Sequence, residues 1–128
     1  MLRHTRHRTS RAARRNRLER PDPPNTYEKA LQQCLNDPTQ LAQITDTSLC
    51  HGWAGLYQTT FRAARDAHTP HLGSQLPDLR KNLIAHARPA AAEGPGLLEG
   101  DAGCALALAT ASTDHEPTTG WDACLLIN

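Results

Sequence analysis

Apolar residues along this chain recur at helical rather than strand spacing. Tyr27, Ala30, Leu31, Cys34 and Leu35 fall at i, i+3, i+4, i+7 and i+8, which predicts an amphipathic helix with one apolar face. Asn25 is placed to cap it, and Glu28 three residues later supplies the reciprocal half of a capping box. Asp37-Pro38 closes this segment, residues 38–44 read as a short second helix, and residues 45–49 as a turn. In the next helix Trp53, Tyr57, Thr60, Phe61 and Ala64 share a face, opposite Gln58, Arg62, Arg65 and Asp66; such a helix is expected to be half exposed. After Thr69-Pro70 a further amphipathic helix carries Leu76, Leu79, Leu83, Ile84 and Ala87, with Pro77 in its first turn, where proline is tolerated. A Pro/Gly/Ala loop spans residues 88–96. Beyond it Ala102, Cys104, Ala105, Leu106, Ala107, Leu108 and Ala109 are apolar on every side, the pattern of a fully buried helix. Residues 112–119 read as loop, and residues 120–127 as a short apolar end that packs back.

The pattern also repeats. Gly52-Trp53-Ala54-Gly55 returns as Gly100-Asp101-Ala102-Gly103, 48 residues later. A fixed period with helices between the copies fits a stack of helical hairpins, each too small to bury its apolar face alone. The fold class expected is all-α, a partial α/α toroid built from such hairpins.

Charge divides the chain. Residues 1–25 hold eight arginines against Glu19 and Asp22, a net of +6, while residues 26–128 hold six basic and 11 acidic residues, a net of −5. The first segment has no apolar periodicity and ends in Pro21-Asp22-Pro23-Pro24, so it reads as a disordered Arg/His-rich arm ahead of a helical unit over residues 26–128. Polyanion binding by the arm is one functional reading. The aromatic residues that stack nucleic-acid bases are missing from it. No apolar run reaches the roughly 18 residues of a membrane span, and no signal-peptide pattern is present, so a cytoplasmic protein is expected. Four cysteines at spacings of 16, 54 and 20 residues do not suggest a disulfide framework in that setting, and reduced thiols are expected.

Candidate chemistry concentrates at Cys50-His51, a thiol and an imidazole side by side just ahead of a helix. A helix N-terminus favours the thiolate, and thiolate with imidazole is a donor pair suited to zinc. Cys34 lies on the apolar stripe of the first helix, Cys104 takes the place of Leu56 in the second copy of the repeat and Cys124 lies in an apolar run, so all three read as core thiols. His68, His71, His86 and His115 lie in loops or on polar faces and read as solvated side chains.

Three segments carry a likeness to a known family: Cys50-His51-Gly52-Trp53-Ala54-Gly55-Leu56, the stretch from Gly96 to Gly103, and Gly120-Trp121-Asp122-Ala123-Cys124-Leu125-Leu126. In this order they resemble the C-terminal part of lanthionine synthetase C-like proteins, the lantibiotic cyclases. The resemblance implies an α/α toroid whose central cavity holds zinc on two cysteines and one histidine, with Cys50 and His51 matching two of the three ligands. It implies addition of a precursor-peptide cysteine thiol to dehydroalanine or dehydrobutyrine, closing a thioether ring. The family's other zinc cysteine, in a W-C-Y-G-like segment, has no counterpart here, and its upstream acid-base residues would precede this chain. A truncated cyclase, inactive alone and prone to self-association, is therefore expected, with no catalytic residue assigned. The remaining part of a cyclase or synthetase is an expected partner beside the precursor peptide. The alternatives are a non-catalytic helical interaction module and polyanion binding through the arm.

Overall fold

The computed structural model describes residues 25–88 and 93–126. Its elements are α1 (Asn25–Leu35), α2 (Pro38–Leu41), α3 (Trp53–Asp66), α4 (His71–His86), α5 (Asp101–Thr113) and a terminal 3-10 helix (Trp121–Leu125). Among the described residues there is no strand, and the fold is all-α. The Arg/His-rich arm read over residues 1–25 lies outside the described residues but for the backbone of Asn25.

Local chemistry sets the element ends. Asp37 caps α2 by accepting from the backbone N–H groups of Thr39 (2.9 Å) and Gln40 (3.4 Å), and Pro38 follows where a missing N–H costs nothing. Glu28 has its described partners elsewhere in the fold. Its carboxylate reaches across to the His68 N–H (2.7 Å) and the Thr69 hydroxyl (3.0 Å), tying α1 to the turn between α3 and α4.

α3 and α4 form an antiparallel hairpin, with the Trp53 ring at the start of α3 stacked on His86 at the end of α4 (5.3 Å between centroids). Trp53, Tyr57 and Phe61 from α3, Leu72, Leu79 and Leu83 from α4, and Cys104, Ala107 and Ala111 from α5 build the core. Four expectations change here. Helix α3 is the central helix rather than a half-exposed one, because α4 and α5 both pack on it; Gln58, placed on its polar face by periodicity, is fully buried. Helix α4 starts at His71, so Pro77 lies in its interior. Pro77 takes the intrahelical donor from the Gly73 carbonyl, and both residues are exposed. Helix α5 buries only one side, leaving Ala102, Ala105 and Ala109 exposed among the described residues. Cys34 and Cys124, read as core thiols, are exposed, whereas Cys104 is buried as expected.

The 48-residue repeat is structural. Each copy ends its turn on a glycine N-cap in extended conformation, Gly52 and Gly100. In each, the first helical N–H reaches back seven residues, Trp53 to the Asp46 carbonyl (3.0 Å) and Asp101 to the Gly94 carbonyl (2.9 Å). The two turns meet where the Cys50 N–H donates to the carbonyl of Leu98, its own counterpart in the second copy (3.0 Å).

Candidate metal centre

Cys50 and His51 occupy the turn ahead of α3, and both are exposed. They line the rim of a hollow of about 270 Å³ shared with Ile44, Leu49, Gly52, Gly55, Leu56 and Thr59. Ile44, Leu49 and Leu56 give the hollow an apolar side next to the two donors. Glycine makes the turn close enough to the helix: a Cβ on Gly55 would collide with the Leu49 carbonyl, and one on Gly103 with the Leu97 carbonyl six residues before it.

The turn is cross-braced by side chains. Asp46 Oδ1 accepts from the Ser48 N–H (2.7 Å) and Ser48 Oγ accepts from the His51 N–H (3.2 Å). Asp46 Oδ2 stands 2.7 Å from His51 Nδ1, with Ser48 Oγ 3.3 Å from the same nitrogen. Burial raises the Asp46 carboxyl, but the hydrogen bonds from Ser48 and the His51 ring outweigh it and hold the group below the ordinary aspartate value. Sequence reasoning passed over Asp46 and Ser48. The signal available was Asp-x-Ser in a turn, a spacing at which an aspartate accepts from the backbone two residues on.

Behind this turn Cys104 lies beside Thr47, and burial pushes its thiol pKa up. Cys34 and Cys124 are on the surface. With a thiol reagent at neutral pH under native conditions, Cys34, Cys50 and Cys124 are expected to label quickly and Cys104 only on unfolding. Mass spectrometry of the adducts checks this; fast labelling of Cys104 would contradict its burial. Among the described residues, which include all four cysteines, no three His, Cys, Asp or Glu side chains gather to hold a metal ion. Cys50 and His51 are neighbours in the chain that line the same hollow, and neither Cys104 nor Cys124 joins them as a third ligand. His68, His71, His86 and His115 are exposed, as expected.

Residues 22–126 match the lanthionine synthetase C-like protein family. The chain belongs to that family. No curated protein and no solved structure matches it. In this lanthionine synthetase C-like chain the second copy of the turn has Leu98 and Glu99 where the first has Cys50 and His51. The scaffold is shared and the donors are not. No helix among the described residues is long and apolar enough to cross a membrane.

Proposed function

We propose that this chain supplies half of a zinc site, Cys50 Sγ and His51 Nε2, to a lanthionine cyclase centre that forms thioether rings in a dehydrated precursor peptide. The observation that carries the reading is the placement of both donors, adjacent and exposed, on the rim of an apolar hollow in a chain of this family. The donor set fits zinc in kind, a thiolate and an imidazole, and among the described residues it falls short in number, because catalytic zinc takes three protein ligands with a fourth position open. A third ligand comes from another polypeptide segment, which makes that segment a required partner.

Cys50 Sγ and His51 Nε2 would hold the ion, which would favour the thiolate form of a substrate cysteine. The sulfur adds to the β-carbon of dehydroalanine or dehydrobutyrine, and the α-carbon then takes a proton from a general acid. This chain's own part is to hold the donors in a fixed turn and to border them with Leu49, Leu56 and Ile44, which exclude water from the approaching side chain.

The test is ring closure in a dehydrated, cysteine-containing peptide, read by the loss of free thiol. The chain alone is expected to leave the thiol count unchanged. Co-expressed with the upstream part of a cyclase that carries the other zinc cysteine, it closes rings, and Cys50→Ala abolishes them. Ring closure at an undiminished rate by the Cys50→Ala chain would overturn the reading.

A further inference from the structure

A histidine next to a thiol is a useful ligand only if its free nitrogen carries a lone pair and is aimed at the metal. Neutral imidazole has one protonated and one unprotonated nitrogen, and the partner of one nitrogen decides the state of the other. We propose that Asp46 is the positioning residue of His51: its carboxylate takes the Nδ1 proton as a hydrogen bond and leaves Nε2 unprotonated on the open side of the turn. The proposal rests on the reading of Cys50 and His51 as zinc ligands.

Two observations carry it. The first is the geometry. Asp46 Oδ2 lies 2.7 Å from His51 Nδ1, while Oδ1 is held by the Ser48 N–H at 2.7 Å. The carboxylate is thus pinned at one oxygen and offers the other to the ring. Ser48 Oγ accepts from the His51 backbone N–H at 3.2 Å, so the backbone and the ring of His51 are both tied to this three-residue brace. Such outer carboxylates fix the tautomer and the ring orientation of metal-bound histidine.

The second observation is the internal repeat, which serves as a control. The turn before α5 makes the same seven-residue hydrogen bond, Asp101 to Gly94, as the turn before α3 makes between Trp53 and Asp46. It does so with Gly94 and Gly96 in place of Asp46 and Ser48, and Glu99 in place of His51. That turn closes without a carboxylate or a hydroxyl. Asp46 and Ser48 stand where the imidazole stands and are absent where it is absent, so the brace goes with the histidine rather than with the turn.

The test uses Asp46→Asn, which keeps the side-chain shape. Its Oδ1 still accepts from the Ser48 N–H, but its Nδ2 now donates to His51 Nδ1 and moves the ring proton to Nε2. In nitrogen-15 spectra of the zinc-free full chain at mildly alkaline pH, His51 is expected as the Nδ1–H tautomer in the parent and as Nε2–H in the variant. Zinc affinity, measured by competition with a chelating dye, is expected to fall about 10–100-fold in the variant. An Nε2–H tautomer in the parent chain overturns the proposal without any variant. An unchanged tautomer and an unchanged affinity in Asp46→Asn overturn it equally. A tautomer switch with no zinc bound by either chain supports the role of Asp46 and sinks the zinc reading instead, so the two failures are told apart.

Discussion

Asp122→Ala is expected to destabilise the chain by about 3–5 kcal/mol, the cost of breaking a buried ion pair from one side. Asp122 is fully buried in the terminal 3-10 helix. Its Oδ1 accepts from Arg62 Nη2 (2.8 Å), and its Oδ2 accepts from Arg62 Nε (2.6 Å) and from Gln58 Nε2 (2.6 Å). The bidentate fork is the strong form of such a pair. Both partners come from α3, 60 and 64 residues earlier, so this contact pins the terminal helix to the central one. Removing the carboxylate takes the acceptor from Arg62 Nε and Nη2 and from Gln58 Nε2 in a covered site, and leaves only Arg62 Nη1 paired, with Glu116. By contrast Glu116, half exposed and 3.3 Å from Arg62, is a surface pair, and Glu116→Ala is expected to cost no more than about 1 kcal/mol. Urea unfolding followed by circular dichroism checks both; an Asp122→Ala loss as small as that of Glu116→Ala would contradict the latch.

The same contact sets a pH dependence. The Arg62 hydrogen bonds come first among the causes that hold the Asp122 carboxyl below the ordinary aspartate value, and they outweigh burial, which pushes the other way. A carboxyl with a lowered folded pKa stabilises the fold above its unfolded value, about 3.9, and loses that contribution as pH falls through the folded value. Stability is therefore expected to drop in acid below about pH 4, and Asp122→Asn to flatten that drop.

The second large effect belongs to the repeat turns. Gly55→Ala and Gly103→Ala each drive a Cβ into a backbone carbonyl, of Leu49 and of Leu97, and a backbone atom cannot swing aside as a side chain can. Each is expected to cost about 3 kcal/mol or more, at the upper end of overpacking. The Gly55 variant should also displace the turn that carries Cys50 and His51. Gly73 is the control: open space surrounds its Cβ position in α4, and Gly73→Ala is expected to stabilise by about 0.4–1 kcal/mol. Equal thermal shifts for Gly55→Ala and Gly73→Ala would refute the close-approach account.

The helical class and the repeat were legible because they rest on local spacing, a 3.6-residue period and a four-residue glycine pattern; Cys50 and His51 stood out as neighbouring donors, but their exposure did not. What escaped depends on partners remote in sequence. Gln58 reads as a polar-face residue until Asp122 arrives to pair with it, 64 residues on. Cys34 shares the apolar stripe of α1, yet only Leu31 and Leu35 of that stripe pack on the core and the thiol stays outside. Helix α5 is apolar all round, a composition that reports what it can bury and not what is present to cover it. Pro77 reads as a helix start because proline is unfavourable within one, and the chain accommodates it on the exposed side of α4. Asp46 lies in a turn with no periodicity, so only an Asx-turn spacing could have drawn attention to it.

Cobalt(II) titration of the purified, reduced chain, read by the thiolate-to-cobalt charge-transfer absorption, tests the zinc half-site most directly. The account predicts a saturable signal that Cys50→Ala and His51→Ala each remove, and that survives in Cys34→Ala, Cys104→Ala and Cys124→Ala. A thiolate signal that persists without Cys50, or one that depends on another of the cysteines, would contradict it.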